Sequence, residues 1–396
     1  MADFKINGTT FVSETGGTLS IDASSIDASQ IKVNGTTVIG AASGFMFRNK
    51  IINGGMKISQ RGTSFTFAHD GTTSSYILDR FKINLHNTDE YDCTVSQYSM
   101  TAAEINTTGH TKALKLLTGT AESTILFDEF ARCEYKPEGQ DVQDFIHGTA
   151  SAKTATLSFW VKSSITGDFG FNIYRYVSSG SGRSINLSYT INAANTWEKK
   201  TISIVGDTGG ATIPNGNTSG LLLIWQLATG SNFNSTASNS WSDYVGTRLM
   251  NSSKSDAVIT TAGADWYLTG VQLEEGTVAT PFEHRPIGME LSLCQRYTTT
   301  IGSGYFAGNG VGSSTVSFGA PLCVPLRAAP SIEKIGGANI NIHRSGNNTN
   351  TNATVTVNAW KENATMINLR TSHNSITDEA VYNLYINNTF LLKSEL

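Results

Sequence analysis

Apolar and polar residues alternate in short runs along most of this chain, and clusters of Gly, Asn, Ser and Asp break the runs. Between residues 46 and 286 they include TLSFWVKSS, FGFNIYRY, INLSYTI, KKTISIV, LLLIWQLA and DWYLTGVQL. Period-two alternation with turn residues between predicts strands, and strands at this spacing predict a β-sandwich. Thr156 to Ser163 alternates with an interruption at Phe159-Trp160, whereas Gly220 to Leu227 is almost continuously apolar, as a strand buried on both faces would be. IGMELSLCQRYTTT, residues 287–300, is the clearest helical candidate, with Ile287, Leu291, Cys294 and Tyr297 at roughly helical spacing behind Pro286. Beyond it ANINIH, ATVTVNAW, ATMINLRT and AVYNLYIN return to alternation, so a second β-domain is expected, its last strand running nearly to Leu396. NNTNTN, residues 347–352, reads as a flexible tip loop.

The first 45 residues follow a different pattern. FKINGTTFV at 4–12 recurs as IKVNGTTVI at 31–39, so Asn7-Gly8 returns as Asn34-Gly35, 27 positions on (34 − 7). Asn-Gly between alternating apolar residues predicts a type I′ hairpin, since both central positions need positive φ. Two such hairpins joined by SIDASSIDAS cannot enclose a core. Association of three chains would bury Ile6, Val12, Ile31, Val33 and Val38, so a homotrimer is expected.

Composition narrows the field of functions. Only 15% of the 396 residues are charged, against a usual share of roughly 25%, and a net charge of −4 with no Lys/Arg run argues against a nucleic-acid partner. No basic segment precedes an apolar stretch at the N-terminus and no apolar window reaches membrane-spanning length, so neither a signal peptide nor membrane insertion is expected. Cys93, Cys133, Cys294 and Cys323 lack metal-ligand spacing and read as free, mostly buried thiols.

Three stretches carry a resemblance. NKIINGGMKISQRGTSFTF followed by YILDRFKI, within residues 49–83, resembles the entry to a jelly-roll module widespread in bacteriophage tail proteins. ATLSFWVKSS with YTINAANTWEKKTISIVGDTGG is similar to the central strands of carbohydrate-binding jelly rolls, where a strand ending in Trp-Lys precedes a Thr-Trp-x-x-Lys turn. Trp197 and Lys200 match, while Val161 stands between Trp160 and Lys162. DWYLTGVQLEEGTVATPFEHRPIGMELSLCQRYTTT resembles the segment that closes the module and leads into a tail-fibre C-terminus, and FGAPLCVPLRAAPSIE is similar to the entry of the domains that follow. The resemblance touches most of residues 46–396 and implies a jelly roll, trimeric assembly and glycan recognition in the virion tail, assembled in the bacterial cytoplasm. The expected fold is thus all-β: an N-terminal β-hairpin anchor (1–45) docking to other virion tail proteins, a jelly-roll β-sandwich (46–286), a short helical connector (287–300) and a C-terminal β-sandwich (301–396) facing the host.

Sugars are held by aromatic faces and by side chains that satisfy hydroxyls. The polar segment NFNSTASNSWSDYVGTR offers Trp241, Asp243, Tyr244 and Arg248, which would serve a glycan or pack against a trimer neighbour. In the C-terminal domain His343, Arg344 and Trp360 are candidates for a receptor surface, with a solvated loop as the alternative. Tyr174 and Tyr176 would share a face opposite Arg175, and Trp160, Trp197, Trp225 and Trp266 are assigned to packing. No catalytic motif occurs; Glu274-Glu275 reads as a structural pair for Arg285, so the chain is expected not to be an enzyme. No cofactor is expected, although jelly-roll modules often hold a structural calcium ion; the sequence names no ligand set for one. The alternatives are a purely structural head-fibre or tail-collar part, and a polysaccharide-degrading tailspike.

Overall fold

The computed structural model describes residues 4–6, 9–15, 18–21, 30–33, 36–40, 47–68, 71–235, 238–244, 250–251, 256–302, 304–335, 340–344, 347–351, 355–359, 366–372, 376, 381–386 and 389–396. For the strands before residue 41, for 235, 250–251, 334–335, 340–359 and for 372, the backbone alone is described. The chain divides into two units, Met1–Phe45 and Met46–Leu396.

In the first unit β1 (Phe4–Ile6), β2 (Thr9–Thr15) and β3 (Thr18–Ile21) form one antiparallel sheet, and β4 (Gln30–Val33) and β5 (Thr36–Gly40) form another. Ile6 pairs with Thr9 and Val33 with Thr36, so each Asn-Gly dipeptide links two paired strands, as two-residue hairpins require. Thr15 also pairs with Thr18, a third two-residue link that the sequence reading did not anticipate.

The second unit begins with β6 (Ser64–Phe67), β7 (Gly71–Tyr76), β8 (Phe81–Thr88), β9 (Cys93–Ser99), helix α1 (Ala102–Thr108), β10 (Lys112–Thr118), β11 (Phe130–Tyr135), β12 (Ala155–Ser163), β13 (Gly167–Arg175), β14 (Arg183–Ile191), β15 (Glu198–Ile204) and β16 (Leu221–Thr229). Then follow β17 (Asn234–Ser235), β18 (Ser242–Asp243), β19 (Met250–Asn251), α2 (Ala257–Thr260) and β20 (Asp265–Glu275). They make a sandwich of a six-stranded sheet, β15-β12-β20-β10-β9-β6, on a seven-stranded sheet, β18-β14-β13-β16-β11-β8-β7. Alternate residues of each strand face inward: Phe169, Phe171 and Ile173 of β13 meet Leu157, Phe159 and Val161 of β12 in one core. Trp225 is fully buried there, its ring 5.1 Å from Phe171 and 5.9 Å from Phe159. Each such side chain contributes about 1.5–3 kcal/mol through burial.

The interruption at Phe159-Trp160 has a local cause. Ser158 pairs with Gln272 but Trp160 with Thr269, so β20 carries an extra residue opposite Phe159. Gly270 takes a positive φ of 61° at this bulge, and a Cβ there would lie 2.4 Å from His110 Nε2. Phe159 consequently enters the core and Trp160 lies on the outside, half-buried, rather than filling the sandwich. β16 is buried on both faces, as its continuous apolar run predicts.

After α3 (Ile287–Gln295) come β21 (Thr298–Ile301), β22 (Gly304–Val311), β23 (Thr315–Pro321), β24 (Ser331–Ile335), β25 (Ile340–Arg344), β26 (Asn347–Thr351), β27 (Val355–Ala359), β28 (Met366–Ser372), β29 (Val381–Ile386) and β30 (Thr389–Lys393). They pair as β21-β30-β24 and as β26-β25-β29-β22-β23-β28-β27, around a core that includes Phe318, Leu369, Leu384 and Phe390. Asn347–Thr351 is therefore a paired strand and not a loop: its backbone lies in register with Ile340–Arg344, and ladder pairing overrides the poor strand propensity of Asn.

The helix 287–295 forms, but its buried side differs from the expected stripe. Ile287 is 58% exposed, while Glu290, Cys294 and the following Tyr297 are buried. Arg285 pairs with Glu283 (3.5 Å) and Glu290 (3.6 Å) and not with Glu274 or Glu275; Glu274 instead lies 3.4 Å from Arg48 and accepts from Thr280. Arg296 reaches back to Glu138 through two nitrogens at 2.8 and 2.9 Å. Arg80, fully buried, binds Glu395 at 2.6 Å, and Arg61 binds the same carboxylate at 2.7 Å. Cys93, Cys133 and Cys294 are buried free thiols and Cys323 is exposed. Among the described residues no helix is long and apolar enough to cross a membrane.

Candidate functional site

Because side chains alternate along a strand, the residues that do not enter the core from the seven-stranded sheet share its outward face. Register places them in rows across the sheet. Asn186, Asn172, Ile224, Glu134, Lys82 and Tyr76 stand successively opposite one another from β14 to β7. In the next row Gln226 faces Arg132, Arg132 faces Asn84 and Asn84 faces Ser74. Gly170 completes that row, since a Cβ on it would lie 2.1 Å from Gln226 Oε1.

Aromatic groups close both ends. On one side Tyr174 meets Tyr176 and Tyr244 edge-on, with centroids 4.7 and 4.8 Å apart. On the other side His86 stacks on Phe130 at 4.9 Å, and Phe233 packs edge-on against Phe130 at 5.2 Å. Between them Glu134 is buried and accepts from Asn84 Nδ2 at 2.7 Å and from Arg132 Nε, with Lys82 Nζ 4.0 Å away. Burial alone would raise the Glu134 carboxyl, but Arg132, Asn84 and Lys82 hold it below the usual range, so it is ionised. The Arg132 guanidinium also lies over the Phe130 ring, 4.2 Å from its centroid. Among the described residues its two terminal nitrogens and the Lys82 ammonium make no hydrogen bond; the Arg132 and Lys82 side chains are 12% and 19% exposed.

Asn172 and Gln226 lie deeper and are fully buried, where the β17–β19 ladder lies against β13 and β14. Asn172 donates to Asn186 at 2.7 Å, but Asn172 Oδ1 and Gln226 Oε1 receive no donor. The outer part of the face thus combines aromatic rings with cationic donors, a set suited to sugar rings and their hydroxyls, while the two deep amides are covered.

The structure separates the residues singled out from sequence. Tyr244 joins the tyrosine cluster, held by its N–H donating to Gly182 O at 2.8 Å. Trp241 packs against the sandwich core, its indole donates to Val205 O at 2.7 Å, and its ring meets His147 at 5.5 Å. Burial and the nearby Arg175 push His147 down to about 4, so Trp241 rests on a neutral imidazole. Asp243 binds Arg183 at 2.7 Å, and Arg183 and Arg175 together hold the buried Asp207 at 3.0 and 2.8 Å. His343 and Arg344 belong to β25, opposite Asn348 and Asn347, and their side chains lie outside the description, as do Arg248 and Trp360 altogether. Lys82, Asn84, His86, Arg132 and Glu134 were missed. Their signal was present: FKINLHNT and FARCEY alternate apolar with charged or amide residues, so their polar set had to face outward together.

A cleft of 320 Å³ opens between Arg61, Phe65, Phe67 and Tyr76 on one side and Glu333 and Lys393 on the other. Its charged groups are already engaged, Lys393 with Glu333 at 2.6 Å and Arg61 with Glu395, and the Tyr76 hydroxyl donates to Leu396 O.

No family model matches the chain, and no curated protein matches it. Among solved structures it is similar to the enzymatically active domain of tailspike protein 4 of bacteriophage CBA120, with 12% identity and a TM-score of 0.30 over 58% of this chain; the match spans 22% of the tailspike chain. It is also similar to the family 11 carbohydrate-binding module of a Clostridium thermocellum cellulosomal cellulase, with 11% identity, a TM-score of 0.26, and coverage of 57% of this chain and 96% of that one. A C. thermocellum xylanase fragment crystallised with xylohexaose matches with 10% identity and a TM-score of 0.25 over 48% of this chain and 26% of its own. These TM-scores lie well below 0.5, so none of the three proteins lends its ligand to this chain.

Proposed function

We propose that this chain is a non-enzymatic appendage protein of a bacteriophage particle that adsorbs to a host-surface glycan through the outward face of its seven-stranded sheet. The observation that carries the binding reading is the pair Lys82 and Arg132, partly exposed cations that keep donors free beyond Glu134 and stand between the tyrosine cluster and the His86–Phe130 stack. Aromatic faces take the C–H surface of a sugar, and the donors take its ring and hydroxyl oxygens or a carboxylate. The virion assignment is supported by the resemblance of residues 49–83 and 265–300 to tail-protein segments, and by N-terminal hairpins too thin to fold without partner chains. Three copies joined there would dock on the tail and present three binding faces.

The test is binding of the full chain to an array of bacterial surface polysaccharides, followed by affinity measurements on Arg132→Ala and Tyr174→Ala against the glycan retained. Each variant is expected to bind about tenfold or more weakly, since a hydrogen bond to a charged group carries roughly 1.5–3 kcal/mol. Unchanged affinity in both variants, or no glycan retained, would discard the face as a binding site. Mass photometry is expected to give three chains per particle, and a monomer would remove the trimer. Reducing ends released from the bound polysaccharide would replace this reading with a depolymerase.

A further inference from the structure

At one end of the sandwich three loops bring carboxylates together. Asp89 follows β8, Glu122 lies between β10 and β11, and Glu129 immediately precedes β11; one carboxylate oxygen of each lies within 4.8 Å of the other two. Glu122 and Glu129 are 2% and 0% exposed, whereas Asp89 is exposed and forms the mouth. The backbone fixes the cluster: Glu122 N–H donates to Ile259 O at 2.9 Å, Gly230 N–H to Glu129 O at 2.7 Å, and Leu126 N–H to Glu129 Oε2 at 2.7 Å.

What sets this cluster apart is its lack of internal compensation. Glu122 Oε2 and Glu129 Oε1 are buried acceptors with no hydrogen-bond partner. Other buried carboxylates of this chain face guanidinium groups: Asp207 meets Arg175 and Arg183, Glu138 meets Arg296, and Glu395 meets Arg61 and Arg80. Among the described ion pairs none involves Asp89, Glu122 or Glu129. Burying carboxylates side by side without a cation is strongly unfavourable.

We propose that Asp89, Glu122 and Glu129 hold one calcium ion. All three ligands are carboxylate oxygens, the choice of a hard cation; zinc favours nitrogen and sulfur. Calcium–oxygen bonds of about 2.3–2.6 Å allow two ligands to stand up to about 5 Å apart, which accommodates the observed spacing. Backbone carbonyls and water would complete the shell. The ion would pin the β8–β9 turn to the segment between β10 and β11, beside Phe130.

The proposal is tested by calorimetric titration of chelator-stripped full-length protein with calcium chloride, and by melting in calcium against EDTA. Wild type is expected to bind at one site and to melt higher in calcium. Asp89→Asn, at the exposed mouth where folding is not at stake, is expected to bind about tenfold or more weakly, and Glu122→Gln to lose the calcium response. Superimposable melting curves with no binding heat in wild type, or Asp89→Asn binding as tightly as wild type, would overturn it.

Discussion

Both sheets of the sandwich turn aromatic and charged side chains outward, and the two faces connect them differently. On the six-stranded sheet Trp197 and Tyr267 pack with Tyr98, Trp160 and Met100 beside α1. Glu104 of that helix accepts from Lys162 at 2.6 Å, from Trp197 Nε1 at 3.0 Å, from Tyr98 OH at 3.0 Å and from Thr101 N at 2.9 Å. Lys162 also sits 4.2 Å from the Tyr267 centroid. Glu104, Lys162, Trp197 and Tyr98 are committed to one another there, and the Thr101–Glu104 capping box ties the helix to the sheet; Lys115 and Lys199, opposite Tyr267 and Trp160 on the same face, stand outside this cluster. On the seven-stranded sheet Arg132 commits only Nε within the described residues, and Lys82 stands 4.0 Å from its carboxylate. Aromatic content does not distinguish the two faces; what differs is a carboxylate hub, Glu104, that gathers the cation and the aromatic donors of one face into a closed cluster.

The contrast can be broken at its strongest point first. Trp197→Ala should cost about 3–5 kcal/mol of stability in denaturant titrations, as expected for a large buried side chain, while leaving glycan affinity unchanged. Loss of affinity in a folded Trp197→Ala protein would mean that the six-stranded face also meets ligand.

Glu104→Gln comes next, at about 1–3 kcal/mol, because charged hydrogen bonds become neutral ones. Burial raises this carboxyl, but Lys162, Thr101, Trp197 and Tyr98 bring it down from 4.5 to about 2. A group held lower in the folded state contributes stability that is complete above the unfolded value and disappears as pH falls through the folded one. Wild type should therefore lose stability between pH 4.5 and about 2, and Glu104→Gln should lose less over that window in pH-dependent melting. Equal acid slopes in the two proteins would show that the cluster is not held by this carboxylate.

The smallest effect sharpens the opposite face. Asp243 is 77% exposed at its side chain and pairs with Arg183, so Asp243→Ala should change stability by no more than about 0.5 kcal/mol. Affinity should also stay constant, because Asp243 stands opposite Arg183, in the row whose Arg183 and Arg175 hold Asp207, and not in the rows of the outward face. A tenfold drop in binding would extend the site past the tyrosine cluster to the β18 edge.

The local pattern of the chain determined its elements. Alternation in FGFNIYRY and INLSYTI, the continuous apolar run of β16, the helix behind Pro286 and the paired strands around each Asn-Gly were all legible, because side-chain period and turn chemistry act over a few residues. Which polar residues meet was decided only by the tertiary structure. Lys82, Arg132, Asn172 and Gln226 come from four strands far apart in sequence and become neighbours through antiparallel register. Asp89 reaches Glu122 and Glu129 through loop packing that no periodicity encodes. Trp241, conspicuous in a polar stretch, was drawn onto the core because its indole found Val205 O and a buried imidazole. Strand period assigns a residue to a face, whereas register between strands and the burial of loops decide what it touches there, and those depend on contacts between residues tens to hundreds of positions apart.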